Sequence, residues 1–265
     1  TQSISNHEFF IKLGQALIDI LQTPTADGLV FRVDMRLRPN GDSGPLALSF
    51  DAIDHYFLTH GREWERYALI KARPVAGDIA SGMELLGSLR PFIYRKYLDF
   101  GAFESIRSMK TLIDRELAKK SLTGNVKLGR GGIREIEFII QSHQLIYGGR
   151  NAALRTASLY AALAALEEGG MLDRADGDRL RSHYDYLRVL EHRLQIMDDA
   201  QTHSIPVEPL ARTRIALAMC YPDNVDFESA LASVNDDVHQ LFRSVFHHHR
   251  GSLPDDQDSL FADLW

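Results

Sequence analysis

"FRVDMRLRPNGDSG" runs from Phe31 to Gly44. Phe31, Val33, Met35 and Leu37 share one parity, and Arg32, Asp34, Arg36 and Arg38 share the other. A period of two predicts a strand over Phe31–Leu37 with one buried face and one polar face. The polar face sets a single carboxylate, Asp34, among three guanidinium groups. A carboxylate so placed can ligate a hard divalent cation while the arginines hold phosphate oxygens. A solvated face whose charges pair with one another is the plainer alternative, and the pattern leaves both open. The turn that follows, "NGDSG", offers Gly41, Ser43 and Gly44, where backbone N–H groups and a hydroxyl can approach a phosphate closely. "PLALS" (45–49) is the candidate partner that would close a hairpin with Phe31–Leu37.

Before this ribbon, "NHEFFIKLGQALIDILQT" places Phe9, Phe10, Leu13, Leu17, Ile20 and Leu21 at helical spacing, with Asn6 as the expected cap. After it the period lengthens. "SFDAIDHYFLTHG" and "REWERYALIKARPVAG" predict two helices separated by Gly61, the second ended by Pro74. "MELLGSLRPFIYRKYLDF" predicts another, interrupted at Pro91. Beyond residue 100 the expectation is helical throughout: "FESIRSMKTLIDRELAKK" with a basic tail, "GGIREIEFIIQSHQLIYGG" between glycine pairs, and "TASLYAALAALEEGG" with a glycine stop. "DGDRLRSHYDYLRVLEHRLQIMDD" and "DFESALASVNDDVHQLFRSVFHHHR" are the last two. These patterns predict an α+β, predominantly helical chain. Residues 1–100 form its mixed domain, 101–250 a helical bundle and 251–265 an acidic tail.

The bulk numbers narrow the function. The chain has 265 residues, 45% hydrophobic, enough for a sizeable core. A net charge of −6 gives no global field for nucleic acid, so anion binding has to come from local arginine clusters. The single cysteine, Cys220, excludes an internal disulfide framework, fits a reducing cytoplasm and reads as an inert small hydrophobe. No apolar run reaches the roughly 18 residues of a membrane span, and the first residues lack a signal-peptide pattern. The chain opens on Thr rather than Met, as a processed product or a piece of something longer would.

Two further stretches carry charge in apolar surroundings. In "GREWERYALIKAR", Glu65, Leu69 and Ala72 share a stripe, and Lys71 and Arg73 either turn into a cleft or snorkel at the surface. In "GRGGIREIEFIIQ" (129–141), Ile133, Ile136 and Ile140 form an apolar stripe on a helix apolar nearly all round, yet Arg134, Glu135, Glu137 and Gln141 lie on it. Buried charges are paired or serve a site. An Arg134–Glu137 structural pair and a groove lining remain equally open. His247–His249 are neighbours that point about 100° apart and cannot chelate one ion together. The sequence has no triad ordering, P-loop, zinc spacing or complete dinucleotide fingerprint.

"FRVDMRLRPNGDSGPLALSF", "GREWERYALIKARPVAGD" and "GRGGIREIEFIIQSHQLIYGGR" together resemble the bacterial bifunctional glutamine synthetase adenylyltransferase/adenylyl-removing family. "GGIREIEF" resembles the N-terminal, adenylyl-removing half in particular. The resemblance implies a partial nucleotidyltransferase (polymerase-beta-like) α/β domain followed by a helical bundle, in a cytoplasmic, multifunctional, ATP-binding transferase of nitrogen regulation. It implies Mg²⁺ or Mn²⁺ as cofactor. The implied partners are adenylylated glutamine synthetase, ADP and phosphate, and a PII-type signalling protein, with neither nucleic acid nor membrane. Such an enzyme removes AMP from a tyrosine of glutamine synthetase by phosphorolysis. The alternative is a docking module for the same proteins without catalysis. Carried onto this chain, the resemblance makes Asp34, Arg36 and Arg38 catalytic, with Asp34 the metal ligand. Arg32, Ser43, Gly44, Lys71 and Arg73 bind phosphate or nucleotide, and Arg134, Glu135 and Glu137 border an interdomain groove. The family opens its catalytic domain with a Gly-Ser turn and two alternating aspartates before a helix like Asn6–Leu21. Only five residues precede that helix here, so this chain by itself is expected to be nearly inactive.

Overall fold

The structure, a computed structural model, describes residues 3–95, 124–198 and 201–247. They fall into two compact units that divide between Ile93 and Tyr94. The expected boundary near residue 100, the helix over 103–120 and the acidic tail lie outside the described residues.

The first unit contains α1 (Asn6–Gln22), α2 (Phe50–Thr59), α3 (Glu63–Leu69), α4 (Ile79–Ser88) and α5 (Arg90–Ile93). The N-cap of α1 is Ser5 rather than Asn6: its hydroxyl accepts from the backbone N–H of Glu8 at 3.2 Å. Ser three residues before Glu is the capping spacing, one position earlier than Asn6 suggests. Ser49 and Asp78 cap α2 and α4 in the same way. α3 stops at Leu69, short of Pro74. Its final turn tightens into three-residue bonds, from Ile70, Lys71 and Ala72 back to Tyr67, Ala68 and Leu69. Arg73 then precedes a proline, which disfavours the helical region. α3 and α4 pack on α5, and α2 packs on α4.

The predicted strand over Phe31–Leu37 is not formed. Residues 31–35 are irregular, Arg36 and Leu37 enter a turn, and "PLALS" is likewise irregular. Strand pairing among the described residues is limited to two isolated bridges, Thr25–Gly28 and Asn125–Ser204. A strand needs a partner to take its backbone hydrogen bonds, and among the described residues none pairs along this segment. The alternation therefore sorts residues without burying a face: Phe31 is 66% and Leu37 59% exposed.

Among the described residues the second unit carries four of the expected helices and one, Pro209–Ala218, that the patterns did not single out. It contains α6 (Ile133–Tyr147), α7 (Leu159–Glu168), α8 (Arg174–Asp198), α9 (Pro209–Ala218) and α10 (Asn224–His247). α6 is central and packs on α7, α8 and α10. Its Ile133, Ile136, Phe138, Ile139 and Ile140 are buried. α8 contributes Leu180, Leu187, Leu190 and Leu194, and α10 contributes Phe227, Val238 and Phe242. Each such side chain adds about 1.5–3 kcal/mol by leaving water. Gly131, before α6, adopts a φ of 70° and lies so close to α10 that a β-carbon there would sit 2.0 Å from the carbonyl oxygen of Asn235. Only glycine satisfies both demands.

Cys220 is not a core residue. It is exposed and left-handed (φ 65°), and it closes α9 in a Schellman motif. Its N–H reaches Leu217 O, and the N–H of Tyr221 reaches Ala216 O. Among the described residues no helix is long and apolar enough to cross a membrane.

Candidate functional site

The Phe31–Gly44 segment gathers its charges without a sheet. The carboxylate of Asp34 accepts four hydrogen bonds from Arg36. The backbone N–H donates at 3.0 Å, Nε donates to both oxygens at 3.1 Å, and Nη2 donates at 2.7 Å. The side chains are about equally open to water, Asp34 at 40% and Arg36 at 38%. These hydrogen bonds, with the nearby charges of Arg36 and Arg32, lower the Asp34 pKa from its ordinary 3.8 to about 2. The anion is stabilised above pH 3.8, and that stabilisation is lost as pH falls through about 2. An NMR titration should place the Asp34 midpoint near 2. In Arg36→Ala it should return toward 3.8, because the donor that lowers it most is gone.

Arg38 turns the other way. Its Nε donates to Gly44 O at 3.1 Å, Nη1 to Met35 O at 2.7 Å and Nη2 to Asp42 O at 3.3 Å. The segment between is a tight reversal. The N–H of Gly41 bonds Arg38 O at 2.8 Å, Asn40 is left-handed at φ 62°, and Gly41–Ser43 form a 3₁₀ turn. At Gly44 a β-carbon would fall 1.9 Å from Pro39 O, so no larger residue fits this crossing. Ser43 stands exposed on the turn.

Behind this turn, sequence reasoning missed a buried anchor. Tyr56 of α2 donates to Glu65 Oε1 at 2.8 Å, and Glu65 Oε2 accepts from the backbone N–H of Arg62 at 2.8 Å. Tyr56 and Glu65 are both buried. Burial, with the Glu65 bond, raises the Tyr56 pKa, against the opposing effect of the Asn40 backbone amide. Arg66, also buried, pairs with Glu63 at 2.8 Å and lies over the Phe92 ring at 5.1 Å. Only the apolar neighbours of Glu65 and Arg66 hint that these charges lie inside. Lys71 and Arg73 sit on the exposed stretch after α3.

In the second unit, Glu135 of α6 is buried and faces His239 Nδ1 of α10 at 3.1 Å. The Glu137 charge, after burial, raises the pKa of Tyr184 on α8. The two carboxylates thus act on different neighbouring helices. Arg134 is half-buried beside them, and its N–H bonds Lys127 O. The first amides of α6 are therefore taken by loop carbonyls, Ile133 to Val126 and Arg134 to Lys127, and present no open anion site. A second charge cluster escaped the sequence reading. Glu191 of α8, 2% exposed, meets Arg188, His203 at 2.9 Å and Lys127 at 3.8 Å. Its signal is a glutamate between Leu187, Leu190 and Leu194, all buried.

The described residues do not by themselves make a metal centre. Both oxygens of Asp34 are bonded to Arg36. Among the described residues no group of three or more His, Cys, Asp or Glu side chains could hold an ion. What the arrangement offers is one guanidinium, Arg36, fixed on a carboxylate held ionised, with the Arg32 charge nearby.

Comparison with known proteins gives matches along the chain. Residues 1–88 match a family model described as glutamate-ammonia ligase adenylyltransferase. Residues 107–246 match one described as GlnD PII-uridylyltransferase. Over its whole length the chain is 49% identical to the bifunctional glutamine synthetase adenylyltransferase/adenylyl-removing enzyme of Hahella chejuensis and spans 28% of that protein. The protein of the same name from Nitrosococcus oceani is 47% identical, with the same coverage. That of Pseudomonas syringae pv. tomato is 50% identical over 92% of the chain and 25% of its own length. The chain therefore spans about a quarter of the curated relatives it matches.

Proposed function

The chain belongs to the family of the bifunctional glutamine synthetase adenylyltransferase/adenylyl-removing enzymes, and from that premise we propose that it forms part of a cytoplasmic enzyme removing AMP from adenylylated glutamine synthetase. An oxygen of inorganic phosphate attacks the α-phosphorus of the AMP–tyrosine ester. The phosphorus–oxygen bond to tyrosine breaks, ADP forms, and the phenolate leaves and takes up a proton. No covalent nucleophile from the protein is needed.

The observation that carries this reading is the Asp34–Arg36 pair, exposed on the first unit within the segment matched by the adenylyltransferase model. Arg36 and Arg32 meet phosphate charge, since guanidinium forks suit phosphate oxygens. Asp34 fixes the orientation of Arg36. Held ionised at neutral pH, Asp34 orients rather than donates a proton. Ser43, Gly44, Lys71 and Arg73 are the further phosphate- or nucleotide-binding candidates, and Arg134, Glu135 and Glu137 the groove candidates. Mg²⁺ or Mn²⁺ would take one ligand from Asp34; the described residues supply no cluster to complete its shell, so no step is routed through it.

The test is incubation of a full-length polypeptide carrying this chain with adenylylated glutamine synthetase, with and without phosphate. Phosphate-dependent ADP formation is expected; AMP release independent of phosphate would overturn the phosphorolytic reading. The 265-residue chain alone should form ADP poorly, because one carboxylate binds Mg²⁺ weakly. Robust turnover by it would contradict that.

The uridylyltransferase match over residues 107–246 favours a second reading, in which the helical unit docks a PII-type signalling protein. PII capture that survives both Asp34→Asn and Arg36→Ala supports docking as a separate role.

A further inference from the structure

We infer that Arg38 is a positioning residue, the internal brace of the 35–44 loop, and not a phosphate ligand; this rests on the reading of residues 31–44 as the phosphate-handling strip. Arg36 and Arg38 are two residues apart and were equivalent in sequence. Their surroundings separate them. Arg36 is 38% exposed and engages the carboxylate of Asp34, whereas the Arg38 side chain is 19% exposed. Each of the three guanidinium nitrogens of Arg38 donates to a different backbone carbonyl, that of Met35 before the reversal and those of Asp42 and Gly44 after it. A guanidinium grips phosphate with paired parallel N–H groups. Here three of the five N–H groups, with the Nε–H among them, are divided between the two limbs of a loop, so turning the Nε-side fork onto a phosphate would dismantle the turn.

The bonded carbonyls also explain why the residue has to be arginine. A lysine keeps the charge, but its ammonium is a single point of donors on a flexible stem and cannot span three separated oxygens. The close crossing at Gly44, 1.9 Å from Pro39 O for an added β-carbon, shows that the limbs are drawn as tightly as backbone allows. The brace thereby fixes the direction in which Arg36 leaves the chain.

The experiment uses the full-length polypeptide and the variant Arg38→Lys. The kcat for phosphate-dependent ADP formation should fall about tenfold or more, as misplacement of a charge-bearing group does. The KM for phosphate should stay within about twofold, because no phosphate ligand has been lost. Amide hydrogen exchange across residues 36–44 should quicken while the thermal midpoint holds. Two results overturn the inference. One is a KM for phosphate that rises in Arg38→Ala with kcat unchanged and is restored by Arg38→Lys, which marks a direct charge contact. The other is exchange across 36–44 that Arg38→Lys leaves unaltered. Failure of the underlying functional reading shows separately, as a wild-type polypeptide that forms no ADP from phosphate; the exchange measurement then still decides the brace.

Discussion

Replacing Arg36 with alanine in a full-length polypeptide should lower kcat/KM for phosphate-dependent removal of AMP about 100-fold, with the thermal midpoint unchanged. The size follows from what preorganised donors aimed at developing phosphate charge contribute when deleted singly, roughly 10²–10³-fold. The Arg36 guanidinium makes three hydrogen bonds to one carboxylate, so its orientation is set before any ligand arrives. Stability should not follow activity, because the pair is exposed and surface ion pairs contribute about 0–1 kcal/mol. Steady-state kinetics beside calorimetry separates the two effects. A fall in the midpoint that tracks the loss of activity would make Arg36 a structural residue.

The largest stability effect belongs to Glu191→Ala. Glu191 is almost wholly buried, and its carboxylate is shared by Arg188 on its own helix and by Lys127 and His203 on two loop segments. Those segments are joined by backbone bonds, Val126 N to His203 O at 2.8 Å and Ile205 N to Gly124 O at 2.9 Å. Removing the anion leaves three partners facing one another. Because the cations are partly exposed, the low end of the range for a broken buried pair applies, about 3 kcal/mol. For a chain of this size that corresponds to about 6–12 °C in the thermal midpoint. Burial and the Lys127 charge lower the His203 pKa below 6.5. Folding therefore excludes a proton that the unfolded chain accepts, and stability falls as pH drops below 6.5. Calorimetry across pH 5–8 checks both statements. An unchanged midpoint in Glu191→Ala would show that the cluster is surface charge in effect.

The helical unit was legible because its signals are local and redundant. Ile133, Ile136 and Ile140 recur at helical spacing between glycine pairs, and Ser158 and the Glu168–Gly169 stop bracket α7. Such segments report their own period whatever they pack against. The ribbon at Phe31–Leu37 was not legible in the same way. A period of two reports which residues share a face, but a strand exists only when another chain segment takes its hydrogen bonds. α1 shows the same limit: it is plainly amphipathic, yet none of its residues is buried. The association of Asp34 with Arg36 was readable from their shared parity. The diversion of Arg38 was not, since it depends on the reversal at Asn40 and Gly44 bringing three carbonyls to one guanidinium. Glu65 and Glu191 stayed hidden because a lone carboxylate on an apolar stripe does not announce its distant partners: beyond the i−3 contacts with Arg62 and Arg188, Glu65 meets Tyr56 and Glu191 meets His203 and Lys127.

The central claim, that Asp34 with Arg36 serves removal of AMP, is tested most directly by the ratio of two activities in one protein. In a full-length polypeptide carrying Asp34→Asn, AMP removal from adenylylated glutamine synthetase and AMP attachment to the unmodified enzyme are measured side by side. Removal should fall at least about 100-fold while attachment stays within about twofold of wild type. Removal that persists, or attachment that falls in its place, contradicts the account.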